Sequence, residues 1–200
     1  MKLQKPSTAS LKGTLQPGDV LGFSGADLPS DIINIMTGAM PRWGLSHVGV
    51  MAEHKGDLLL FESTTFNKHP CAIRNVMFAG TQAQWPANKI ENYNGRCWRY
   101  PLERPLRAWE RKKLSEYLIS GIGVPYDMIG ALRSGGHVFN WVESCFHAEN
   151  LARIYCSEWC AAAYREIGRF ETNDVSKWNP NKFIRELRQR ATNLHHERLK

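Results

Sequence analysis

Apolar and polar residues alternate with period two through much of the first half of this chain. In the second half they recur at helical spacing. The clearest alternation lies in "SHVGVMAEHKGDLLLFEST", two β-rich runs around a polar Lys55-Gly56 turn, which together predict a hairpin. Upstream, "LQPGDVLGFSG" turns at Pro17-Gly18-Asp19 and reads as a strand over Val20 to Phe23. "LPSDIINIMTGAM" reads as a short helix with Ser30 as its cap and Gly38 near its end. "CAIRNVMF" and "GRCWRYPL" read as two further strands, with an irregular piece, "AGTQAQWPANKIENYN", between them.

After Pro101 the pattern changes. "PLRAWERKKLSEYLISGIG" opens with a Pro suited to a first turn. It carries Leu114, Tyr117 and Leu118 at helical spacing and ends in glycines. "PYDMIGALRSGG" reads as another short helix, "HVFNWVESCFHAENLARI" as an inserted segment, and "NPNKFIRELRQR" as a helix opened by Asn179 and Pro180. Strands come first and helices second, so the expected class is α+β with an antiparallel sheet. Residues 1–14 read as a flexible leader, 15–190 as one domain, and 191–200 as a basic tail.

The hairpin carries candidate chemistry. A two-residue Lys55-Gly56 turn pairs His54 with Asp57, which sets Gly49 opposite Glu62 and His47 opposite Thr64. His47, Gly49 and Met51 share one face of the first strand. His47 and Glu62 are then diagonal neighbours on that face, with Gly49 leaving space between them. A three-residue loop would turn Glu62 to the other face, so the pair depends on register.

The second candidate lies in "LARIYCSEWCAAAYREIG", Leu151 to Gly168. Tyr155 is β-like, "CSEWCAAAYREIG" is helical, and Gly168 is a natural stop. Ser157 and Glu158 suit a first turn. That places Cys156 at or near a helix N-terminus, where backbone N–H groups and the macrodipole favour a thiolate. Cys160, one turn further in, reads as core. Ala161, Ala162 and Ala163 suit a central, closely packed helix. A zinc site from Cys145, His147, Cys156 and Cys160 is the competing reading, but no paired C-x2-C spacing supports it. Neither metal nor cofactor is expected. A catalytic Cys needs a base and an orienting group elsewhere, for which His47 and Glu62 are the candidates. His54 sits at the hairpin turn and His195 and His196 in the tail, while His69, His137 and His147 have no evident partner in the sequence.

Composition narrows this picture. Five cysteines at irregular spacing argue for reduced thiols and synthesis in the cytosol. "MKLQKPSTASLKGTLQPGD" has no apolar h-region, so no signal peptide is expected, and no apolar run is long enough for a membrane span. The formal charge of +7 suits an anionic surface. Much of it lies between Lys182 and Lys200, where a solvated helix face is a simpler reading than nucleic-acid binding.

In their order, "LQPGDVLGFSG", "LSHVGVM", "LLLFEST", "GVPYDM" and "YCSEW" resemble the circularly permuted papain-like amidohydrolases of the NlpC superfamily, the YiiX/YaeF-like branch. The resemblance runs roughly from Leu15 to Phe183. It implies a sheet or partial barrel packed against helices, with a central Cys-bearing helix. It implies that Cys156 is the nucleophile, His47 the base and Glu62 the group that orients the imidazole. Tyr126, in "GVPYD", and the Cys156 N–H would bind the oxyanion. Asp19, in "PGD", reads as structural. The stretch from Gly135 to Arg153 is long for the pattern. The activity implied is hydrolysis of an amide or ester, with a cell-wall peptide, a peptidoglycan fragment or an acylated lipid as substrate. Acyl transfer on the same residues and a non-catalytic binding module are the alternatives.

Overall fold

The computed structural model describes residues 15–25, 44–64, 68–124, 148–171, 180–190 and 197–200, with backbone alone for 148–155 and 189–190. The leader, the helix expected between Ser30 and Gly38, the "PYDMIGALRSGG" segment with Tyr126, and His137, Cys145, His147, His195 and His196 lie outside the described residues.

Along the chain run β1 (Val20–Gly25), β2 (His47–His54), β3 (Asp57–Thr64), β4 (Gly80–Gln84), α1 (Pro86–Asn92) and β5 (Gly95–Tyr100). They are followed by α2 (Ala108–Ser120), α3 (Ala148–Glu166), α4 (Pro180–Arg190) and β6 (Glu197–Arg198). The strands form an antiparallel sheet in the order β4-β3-β2-β1-β5-β6. The class is α+β, as the pattern predicts.

Alternation along the strands divides the core in two. Val20, Val48, Val50, Leu59 and Phe61 face a larger apolar cluster shared with α2, α3 and α4. Leu21, Phe23, Met51, Leu60 and Cys97 face the other way and pack with Leu15 and with Ile90 of α1. The helices fit by their patterns. In α4, Pro180 takes the first position, Phe183, Ile184 and Leu187 are buried, and Arg185 and Arg188 point outward. Helix α3 ends at Glu166, and just beyond it Gly168 has a left-handed φ of +69°. There Gly168 N–H donates to the Arg165 carbonyl and Arg169 N–H to that of Tyr164, which satisfies the last turn.

Three expectations fail. Residues 71–78 form a compact loop, not a strand. Cys71 N–H donates to the Val76 carbonyl, Asn75 N–H to that of Cys71, and Asn75 has φ +57°. The strand is instead β4, in the stretch expected to be irregular, followed at once by α1. Thr81, Gln82 and Gln84 are polar yet buried, so hydropathy points away from a strand. Their groups are matched inside: Gln84 Nε2 donates to Gln82 Oε1 and to the His69 carbonyl, and Thr81 Oγ1 accepts Val124 N–H. Finally, α2 begins at Ala108, so Pro105 precedes the first turn. The orphan N–H of Arg107 is met at 2.6 Å by Glu110, whose carboxylate also takes two hydrogen bonds from Arg169. In the tail, Glu197 and Arg198 add an edge strand to β5.

Candidate active site

The site is built on the β2–β3 hairpin. Lys55 (φ +50°) and Gly56 (φ +82°) are both left-handed, the combination that a two-residue hairpin turn of matching twist requires. The register follows: His54 pairs with Asp57 and Gly49 with Glu62. His47 and Glu62 therefore share a face, and His47 Nε2 lies 2.7 Å from Glu62 Oε2. Both side chains are buried, at 6% and 1% exposure. The space beside Gly49 is not left open for the pair. A Cβ there would come within 2.8 Å of Leu60 Cδ1 and 2.9 Å of the Phe61 carbonyl oxygen, so this glycine admits β3 instead.

A third member of the network has no counterpart among the residues picked out from the sequence. Lys89, in the last turn of α1, places Nζ 2.8 Å from Glu62 Oε1 and 2.8 Å from Oε2. It also sits 5.7 Å from the centre of the Phe23 ring. Phe23 in turn packs against His47 and against Tyr93, which follows α1. Burial pushes the Glu62 carboxyl up, but the Lys89 ammonium and the His47 hydrogen bond outweigh it and bring the group down to about 2. Glu62 is thus a carboxylate at neutral pH. With a neutral imidazole, its bond to Nε2 fixes the proton there and leaves Nδ1 as the accepting nitrogen.

The approach to β2 is fixed from the far end of the chain. Asn181, in the first turn of α4, accepts Leu45 N–H at 2.7 Å and donates to the Leu45 carbonyl at 3.0 Å. Ser46 Oγ donates to the Phe23 carbonyl and accepts Gly25 N–H. The residues before His47 are therefore held on both sides. Asp19 acts as a structural residue, accepting from Gln16 N–H and from Arg99 Nε, each at 2.7 Å.

Cys156 departs from expectation. It is the ninth residue of the nineteen-residue α3. "AENLARIY" contains no Gly or Pro to stop the helix upstream. The macrodipole acts within the end turns, so that argument for a thiolate falls. In a helix interior the Cys156 N–H is also committed to the carbonyl one turn back, so it is not an oxyanion donor. Tyr155 is likewise helical.

Cys156 and Cys160 are both fully buried in the cluster shared with Val48, Val50 and Phe61. The contacts of the His47–Glu62 pair include Phe23 and Lys89. The structure thus brings His47 and Glu62 into direct contact, and Cys156 stands on a helix packed along β2 and β3. Along that helix, Tyr164 donates its hydroxyl to the Gly18 carbonyl, and Gly18 N–H donates to the Met51 carbonyl. Cys156 lies about two turns back along the same helix. Burial pushes the Cys160 thiol well above its usual range, with the nearby Cys156 and Glu62 adding to the effect.

No protein-family model matches the chain, and no curated protein matches it. Among solved structures it is similar to the crystal structure of the metalloprotein yiiX from Escherichia coli O157:H7, DUF1105. The two are 19% identical, over 88% of this chain and 81% of that one, with a TM-score of 0.46. A likeness at this distance says nothing of the site's chemistry. Among the described residues, no group of three or more His, Cys, Asp or Glu could hold a metal ion, and no helix is long and apolar enough to cross a membrane.

Proposed function

We propose that the protein is a cysteine hydrolase that cleaves an amide or ester bond, with His47 as base and Glu62 as its partner. The observation that supports this is the buried 2.7 Å His47–Glu62 contact. Burying an ionised carboxylate is costly unless it is paired, and here it fixes one imidazole tautomer. Cys156 is the proposed nucleophile. Tyr126, in the G-x-P-Y-like segment, is the proposed oxyanion donor.

In the reaction, Nδ1 of His47 takes the Cys156 proton and the thiolate attacks the carbonyl carbon. The resulting oxyanion is stabilised by the Tyr126 hydroxyl. As the tetrahedral intermediate collapses, the bond to the leaving amine or alcohol breaks and the imidazolium supplies its proton. Water, activated by His47, then cleaves the thioester and regenerates the thiol. Cell-wall peptides and acylated lipids are the proposed substrate classes. An acceptor other than water would make the same residues an acyltransferase, a difference read directly from the product.

The test is intact-mass analysis after exposure to a panel of acyl substrates. An acyl adduct that maps to Cys156, and is absent from Cys156→Ala, is the expected result. Turnover retained in Cys156→Ala would overturn the assignment. A complementary measure is alkylation by iodoacetamide at neutral pH, where Cys156 should react much faster than Cys160.

A further inference from the structure

The geometry points to Lys89 as a positioning residue, whose ammonium clamps the Glu62 carboxylate beside His47 and keeps the imidazole in its neutral, proton-accepting form. Its part in catalysis rests on the hydrolase reading above, but the charge coupling itself does not.

A His–carboxylate pair standing alone has a drawback as a base. The carboxylate attracts the imidazolium, so the ring tends to hold a proton when it should accept one. Here the carboxylate is shared. Lys89 Nζ contacts both Glu62 oxygens at 2.8 Å, while His47 Nε2 contacts Oε2 at 2.7 Å. A cation this close to Glu62 offsets part of the field felt by His47. It also leaves the hydrogen bond to Nε2 intact, so the tautomer is kept while the attraction for a second proton falls.

Burial makes this more than a surface ion pair. The Glu62 side chain is 1% exposed and that of Lys89 only 15%, so solvent screens the interaction weakly. Lys89 is held from two further sides. Its ammonium lies over the Phe23 ring, which itself packs on His47. It also stands in the last turn of α1, where a cation is favoured by the helix dipole. Other titratable groups around the pair, among the described residues, include Tyr93 after α1, Cys97 of β5, Lys200 beyond β6, and Cys156 and Cys160 of α3. Lys89, unlike these, is a cation in direct contact with the Glu62 carboxylate.

The experiment follows His47 by NMR on protein with isotope-labelled histidine rings, assigned with His47→Gln. Removing the charge in Lys89→Met or Lys89→Gln should raise the midpoint of the His47 titration by about one pH unit or more. Lys89→Arg keeps the charge and should stay close to the natural midpoint. If the neutral variants fold, by circular dichroism, and leave the midpoint unchanged, the inference is overturned. The natural protein gives a check that needs no variant to fold. The Lys89 Nζ resonance should shift with an inflection at the His47 midpoint, and a flat response would equally overturn the inference. Neither readout uses Cys156, so an active Cys156→Ala would remove the hydrolase reading and leave this result standing.

Discussion

At the scale of single residues, Glu62 carries the sharpest consequence. Its folded-state carboxyl is brought down to about 2 from an ordinary 4.5. Stability from this group is therefore complete above about 4.5 and is lost as pH falls toward about 2. Denaturant unfolding across that window should show a steady fall in the natural protein, and Glu62→Gln should flatten it. The pairing of Glu62 with His47 was legible in the sequence, because Lys55-Gly56 set the turn and the turn set the register. Lys89 was not legible. It sits in a stretch with no helical signal, and its role comes from where α1 lies on the sheet.

At the scale of elements, the start of α2 and the end of α3 are locked together by Glu110. This carboxylate receives Arg107 N–H and both Arg169 nitrogens, and those hydrogen bonds, Arg169's first, hold it below the usual range. Glu110→Ala removes the partner of a nearly buried guanidinium and should cost about 3 kcal/mol, read by urea unfolding. Tyr164→Phe removes the hydroxyl that ties α3 to Gly18 and should cost about 1–3 kcal/mol by the same measure, because the Gly18 carbonyl is left buried. These elements show where sequence reading stops. Helix α4 was legible because Pro180 opens it and its apolar residues recur at helical spacing. Strand β4 was hidden because Thr81, Gln82 and Gln84 satisfy their polar groups inside the fold, which no hydropathy pattern records. The start of α3 was not legible because Tyr155 is β-like by type, whereas seven helical residues precede it.

At the scale of the whole molecule, the sheet is completed by its last residues. The Cys97 carbonyl accepts from Leu199 and Lys200 N–H, Cys97 N–H donates to the Lys200 carbonyl, and Lys200 Nζ donates to the Glu91 and Tyr93 carbonyls at the end of α1. Deleting residues 197–200 uncovers the β5 edge and loosens α1. The expected outcome is a lower melting temperature and faster aggregation on heating, checked by calorimetry and light scattering. The antiparallel α+β plan was legible from the order of strands and helices. The membership of these residues in the sheet was not, because a two-residue edge strand rich in charge looks like a solvated tail.

The clasp of Asn181 on Leu45 spans 136 residues. Synthesis proceeds from the N-terminus, so the hairpin bearing His47 and Glu62 is made long before the residue that anchors it. Helix α3, with Cys156, likewise arrives late. On the proposed reading, a nascent or truncated chain holds the base but lacks both the nucleophile and the clasp. Competence then comes only once the chain has emerged past Asn181, so copies stopped short of it are chemically silent.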